Sequence, residues 1–247
     1  MKVYVLDVKR VRRFFERLIV LIMAVALTVG IILGVDSYIT SEALDTGAPQ
    51  DGASKIIILD PGHGGEDPGA VAADGALEKD LNLSLSFAIK EELEAKGFTV
   101  VMTRTEDKML YGEGENIKGI RKLSDLKNRC KIGADYPDAI FISIHMNSFG
   151  SSEYSGLQVY YSHDDDESHE LATAIQSSVK KELQNDNNRV VKDGKNIYIL
   201  ENCEPTSILI ECGFLTNPEE SKKLSEKEYQ KQLSFAIVCG IIEYIKE

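Results

Sequence analysis

From residue 55 to the C-terminal end, short apolar runs rich in Ile, Val and Tyr alternate with longer stretches whose apolar residues recur every three or four positions. The short runs at 55–60, 98–103, 139–144, 156–161, 196–200 and 206–211 predict β-strands. Between them the spacing predicts helices. One is capped by Asp80 and runs through Leu81, Leu85, Ala88, Ile89 and Leu93 to a stop at Gly97; others cover about 120–134, 167–184 and 226–245. This alternation predicts a single α/β domain over 55–247, built on a twisted, mostly parallel or mixed sheet of about six strands flanked by helices. Residues 105–119 and 185–196 break the pattern and predict loops beside the sheet.

The pattern before residue 55 is different. Residues 1–17 form a basic flank carrying Lys2, Lys9, Arg10, Arg12, Arg13 and Arg17 against Asp7 and Glu16. Residues 18–35 carry no charge, and as a helix they would extend roughly 27 Å, near the lower limit for crossing a bilayer. Basic residues ahead of an apolar run hold the N-terminus in the cytoplasm and send the following chain outward. The run therefore reads as a signal anchor or a long signal peptide. Ala24-Val25-Ala26 resembles a cleavage site but lies in mid-run, which favours an uncleaved membrane anchor helix. Residues 36–54, rich in Ser, Thr, Asp, Gly and Pro, read as a linker.

Charge narrows the partners. Residues 36–247 hold 22 Lys and Arg against 38 Asp and Glu, a balance that argues against nucleic acid and for solubility outside the cell. The four cysteines, Cys130, Cys203, Cys212 and Cys239, are too few for a disulfide scaffold in a chain of 247 residues and read as mostly buried free thiols.

Four residues carry the candidate chemistry. His63 follows the first strand within Asp60-Pro61-Gly62-His63-Gly64-Gly65, Glu78 opens the next helix, His145 ends Ile140-Phe141-Ile142-Ser143-Ile144, and Glu211 ends Ile208-Leu209-Ile210. Ligands of open α/β sheets bind beyond the carboxyl ends of the strands, so the four can converge although about 150 residues separate them. Two histidines and a carboxylate are a usual ligand set for a catalytic zinc with one open position, and a second carboxylate would serve as general base. Glu211 resists a bland reading, because an unpaired carboxylate on a central strand is costly. Three further residues are weaker candidates for substrate binding or support. Asp60 would hold the His63 ring or serve a turn, Arg104 would meet a substrate carboxylate or form a structural ion pair, and Asn147 would orient His145 or contact substrate.

These motifs, together with Thr103-Arg104, Ser143-Ile144-His145-Met146-Asn147-Ser148, Gly156-Leu157-Gln158-Val159-Tyr160-Tyr161 and Ile210-Glu211-Cys212-Gly213-Phe214-Leu215-Thr216-Asn217, resemble the zinc-dependent N-acetylmuramoyl-L-alanine amidases of bacterial cell walls over roughly 55–245. The resemblance implies one Zn²⁺ held by His63, Glu78 and His145, with Glu211 as the catalytic glutamate, and peptidoglycan as substrate. The anchor followed by a bare catalytic domain is most similar to the germination-specific spore cortex amidases, whose cleavage allows muramic-δ-lactam to form. It implies an exported enzyme at the outer face of the cytoplasmic membrane or in the wall or cortex space. The chain lacks a long helical insertion between His145 and Glu211, which implies control by expression or by an exported activating protein. Competing readings are a zinc carboxypeptidase or polysaccharide deacetylase, and a non-catalytic wall-binding protein.

Overall fold

The computed structural model describes residues 55–246 except 113, 116 and 118. The basic flank, the expected anchor and the linker lie outside the described residues, and among the described residues no helix is long and apolar enough to cross a membrane.

The strands are β1 (Ile56–Pro61), β2 (Thr99–Met102), β3 (Ile140–Asn147), β4 (Gln158–Tyr161), β5 (Lys192–Asp193) and β6 (Thr206–Phe214). The helices are α1 (Glu78–Ala95), α2 (Arg121–Ala134), α3 (Asp166–Glu182), α4 (Tyr198–Asn202), α5 (Pro218–Ser225) and α6 (Lys227–Lys246). The strands form one sheet in the order β2-β1-β3-β6-β4-β5. β1 runs parallel to β2 and β3, β3 parallel to β6, and β4 antiparallel to β6, so the sheet is mixed.

Side chains alternate across a strand, and here the two faces differ in kind. Ile57 and Leu59 of β1, Ile140, Ile142 and Ile144 of β3, and Ile208, Ile210 and Cys212 of β6 are buried in the larger core, with Leu85, Ile89, Leu171, Ile175 and Ile237 of the helices α1, α3 and α6. Each fully buried Ile or Leu of this kind contributes roughly 1.5–3 kcal/mol. The alternate positions hold Ile58 and Phe141 in a smaller cluster with Cys130 of α2 and Ile199 of α4. Along the same face stand Asp60, Ser143, His145 and Glu211. One face therefore holds the fold together and the other carries polar chemistry.

Three expectations are corrected. Residues 196–200 do not form a strand: Tyr198–Asn202 is a short helix, and the sixth strand is Lys192–Asp193, inside the stretch read as a loop. A four-residue apolar run fits either element, and the chain turns off the sheet edge where Gly194 N donates to Tyr161 O and Asn196 takes a positive φ of 72°. Asp80 is not the cap of α1, which starts at Glu78 behind an extended Leu77 with no side-chain cap. The loop before it supplies the acceptors instead, Ala70 O for Glu78 N and Pro68 O for Lys79 N. The expected stop is present: Gly97 adopts φ +88° and Phe98 N returns to Leu93 O.

Helix α5 was not anticipated, although Asn217-Pro218-Glu219-Glu220 carries its signal. The Asn217 side chain accepts from Glu219 N and Glu220 N, and Pro218 opens the first turn. All four cysteines are free thiols; Cys130 and Cys212 are buried, and Cys203 and Cys239 half-buried. The segment read as a loop at 105–119 does lie beside the first glycine turn, since Asp107 Oδ1 accepts from Gly65 N at 2.7 Å.

Candidate active site

The turn after β1 is shaped by close approach and by positive φ. A Cβ at Gly62 would stand 2.2 Å from His145 Nε2, so only glycine lets the two segments touch. His63 itself lies at φ +61°, an uncommon conformation for a residue with a side chain. Two buried arginines hold this turn by its carbonyls. Arg129 donates from Nη1 to Pro61 O (2.8 Å) and from Nη2 to His63 O (2.7 Å). Arg104 donates from Nε to Pro61 O (2.8 Å) and from Nη2 to Gly62 O (3.0 Å) and Lys79 O (2.8 Å), which ties the turn to the start of α1.

On this frame His63, Glu78 and His145 meet. Glu78 Oε1 lies 3.1 Å from His63 Nε2 and 3.0 Å from His145 Nδ1, and one ligand atom from each of the three residues falls within 4.8 Å of the others. Glu78 Oε2 accepts from Ala70 N at 2.7 Å, which fixes the carboxylate. Burial pushes the pKa of Glu78 up, but hydrogen bonds and charge from His145 and His63 outweigh it and hold the carboxyl below its ordinary range. His63 is the converse: burial lowers its pKa, Asp67 and Glu78 raise it, and the balance lies at about 9.

Glu211 sits opposite His145 in the β3–β6 register. Its Oε2 is buried and, among the described residues, has no hydrogen-bond partner. Burial, reinforced by Glu78 and opposed by His145 and His63, raises its pKa to about 7.

The weaker candidates have other roles. Asp60 does not touch the His63 ring: its carboxylate accepts from Arg129 Nη1 (2.6 Å), Thr103 Oγ1 (2.6 Å) and Ser143 Oγ (2.8 Å), because its position on β1 points it beneath the turn. Asp67 takes the place expected of it, with Oδ2 2.9 Å from His63 Nδ1. Arg104 meets backbone carbonyls rather than a carboxylate. Asn147 ends β3 half-buried, and its carbonyl accepts from Leu215 N at 2.8 Å. Sequence reasoning missed Asp67 and Arg129. The i,i+4 pair Asp125–Arg129 was visible on the expected helix, but such spacing usually marks a surface ion pair.

The donor set fits a zinc ion. Tetrahedral ligands at about 2.1 Å from zinc stand roughly 3.4 Å apart, close to the separations seen here, and the orphaned Glu211 oxygen supplies a proton acceptor at the next strand.

Similarity to known proteins identifies the family. The profile of the N-acetylmuramoyl-L-alanine amidase family (Amidase_3) matches residues 57–243. The germination-specific N-acetylmuramoyl-L-alanine amidase of Bacillus subtilis is 38% identical over 195 residues, 79% of this chain and 81% of that protein. The CwlD amidase of Clostridioides difficile, solved in complex with the GerS lipoprotein, superposes with a TM-score of 0.75 at 41% identity, over 78% of this chain and 98% of that one. AmiC2 of Nostoc punctiforme, also an N-acetylmuramoyl-L-alanine amidase, does so with a TM-score of 0.67 at 30% identity, over 80% of this chain and all of that one. The chain belongs to the N-acetylmuramoyl-L-alanine amidase family and is an enzyme of that class.

Proposed function

We propose that this protein is a zinc-dependent amidase of the germination-specific type, cleaving the bond between the lactyl group of N-acetylmuramic acid and L-alanine in spore cortex peptidoglycan. The observation that carries the reading is the buried, unpartnered Oε2 of Glu211 beside three ligand atoms that lie within 4.8 Å of one another. His63, Glu78 and His145 would hold the ion. When bound, zinc supplies Lewis-acid activation of water and of the substrate carbonyl. Glu211 takes a proton from the attacking water at Oε2 and returns it to the L-alanine nitrogen as the amine leaves. A carboxyl with no hydrogen bond to its Oε2 is free to take the proton and to give it back. Arg104 and Arg129 keep the His63 turn rigid, so that the two rings stay set while the proton moves.

The basic flank and apolar run at 1–35 place the enzyme on the outer face of the membrane in this reading. A lipoprotein seated on the CwlD relative supports an exported protein partner here too. The decisive experiment is digestion of cortex peptidoglycan by the zinc-loaded chain with mass analysis of the muropeptides. Release of whole stem peptides is expected; loss of one amino acid would make the protein a carboxypeptidase, and loss of acetyl groups a deacetylase.

Two substitutions test the ligand set. His63→Ala removes one of three protein ligands, and zinc retained after dialysis should fall at least tenfold by elemental analysis. Unchanged zinc content removes His63 from the set. Gly62→Ala leaves every ligand in place, yet its methyl would overlap the His145 ring, 2.2 Å from Nε2 and 2.3 Å from Cε1. It should lose zinc to a similar degree with far-ultraviolet circular dichroism preserved. Parent-like zinc content would mean that His145 moves aside without cost.

A further inference from the structure

Beyond the proton-transfer site, on the β4 side of Glu211, one cation stands apart. Arg189 is half-buried, with its guanidinium carbon 4.4 Å from the centre of the Phe214 ring and 5.9 Å from that of Tyr154. Nε donates to Ser155 O at 2.8 Å and Nη1 to Gln158 Oε1 at 3.2 Å. Among the described residues no carboxylate lies within 4 Å of it, in a domain where acids far outnumber bases. Two of its five N–H donors are therefore engaged in these bonds, and three point away from them.

Its position relates it to the chemistry. Gln158 pairs directly with Glu211 across the antiparallel β4–β6 ladder, so both side chains stand on the same face of the sheet. A cavity of about 590 Å³ opens at Arg189, between Tyr154, Asn187, Asn217 and Glu219. Glu220 on its wall is held in place by Gly156 N and Phe214 N. The edge-to-face pair of Phe149 and Tyr154, both exposed, extends the rim.

We infer that Arg189, laid on the Phe214 and Tyr154 rings, receives a carboxylate of the stem peptide, the α-carboxylate of its second residue. This rests on the amidase reading. In a stem built as L-Ala-γ-D-Glu, that carboxylate lies about two residues, roughly 7 Å, from the scissile amide. Gln158 links the two positions, paired with Glu211 across the ladder and accepting from Arg189 Nη1. The aromatic shelf fixes the guanidinium plane and, among the described residues, leaves the Nη2 donors for an anion.

The test compares two soluble muropeptides, one with the free second-residue carboxylate and one with that group amidated, on the zinc-loaded full chain. The parent should show KM at least about tenfold lower for the free acid, with kcat within about twofold. Arg189→Met should raise KM for the free acid to the amide's level and erase the preference; Arg189→Lys, which keeps the charge and much of the packing, should retain part of it. In parallel, isothermal titration of the metal-free chain with the tripeptide L-Ala-γ-D-Glu-diaminopimelate should show binding at least tenfold weaker in Arg189→Met. A parent with equal KM for both muropeptides, or a variant that binds the tripeptide as the parent does, overturns the inference. If the parent cleaves neither muropeptide, the amidase reading falls, and the tripeptide titration still decides for or against Arg189.

Discussion

Glu211→Gln is expected to lower amide cleavage by at least about a thousandfold while leaving zinc content unchanged. General acid–base groups contribute roughly 10²–10⁴ in rate, and here one carboxyl serves both proton transfers. Glutamine fills the same volume and keeps an oxygen where Oε2 stands, but it cannot take a proton from water. The residue's buried, partnerless oxygen also makes a second and independent expectation. Its pKa is raised to about 7, chiefly by burial, so Glu211 is neutral in the metal-free fold at low pH and becomes a buried charge as pH rises. A carboxyl whose folded pKa is raised favours folding below its unfolded pKa, and that advantage is lost as pH climbs through the folded value. Metal-free Glu211→Gln should therefore melt above the metal-free parent at pH 8, with the gap shrinking toward pH 5. Full cleavage by the variant would remove Glu211 from the chemistry, and equal melting at both pH values would contradict its buried, uncompensated setting.

Arg129→Met should be the most destabilising single change outside the apolar core, by about 3–5 kcal/mol, because it strands two buried carboxylates. Asp60 is 1% exposed and Asp125 5%, and Arg129 bonds both, at 2.6 and 2.8 Å. For a domain of this size the melting temperature should drop by roughly 6–20 °C. The pH dependence carries the sign. In the parent, burial pushes the pKa of Asp60 up, but Arg129, Thr103 and Ser143 together bring it below the ordinary carboxylate value. Its contribution to stability is thus present above about pH 4 and is lost only as pH falls further. Without Arg129 burial prevails, Asp60 titrates upward, and the variant should recover stability on going from pH 7 to pH 5 while the parent does not. Urea midpoints at the two pH values measure this. A variant as stable as the parent at pH 7 would show that the pair is dispensable. The same substitution frees the carbonyls of Pro61 and His63, so zinc retention should weaken along with the fold.

His145 and Glu211 were legible because each interrupts a regular apolar pattern. Ser143 and His145 alternate with Ile142 and Ile144, and Glu211 stands between Ile210 and Cys212, so period-two patterning alone puts the polar members on one face. Glycines flanking His63 marked a turn that something must approach closely, and His145 is what approaches. Less was legible where one local signal serves several structures. Ile197-Tyr198-Ile199-Leu200 reads as a strand and folds as a helix, since four apolar residues cannot distinguish the two and the sheet edge is already occupied by Lys192–Asp193. Arg104 and Arg129 gave no sign of serving one turn, because hydrogen bonds to carbonyls leave no mark in residue type.

Most of the strands and helices, the polar face, the histidines and acids of the candidate centre and the family resemblance followed from the chain alone, for they depend on residue type and short-range spacing. Partnership was decided only by the fold. Asp67 rather than Asp60 stands beside His63, Arg129 takes Asp60 away from it, and Arg189 settles on Phe214 and Tyr154 next to Gln158. The physical reason is that which donor meets which acceptor depends on register between strands and on the angle at which a helix crosses them, and these are set by packing between residues far apart in sequence.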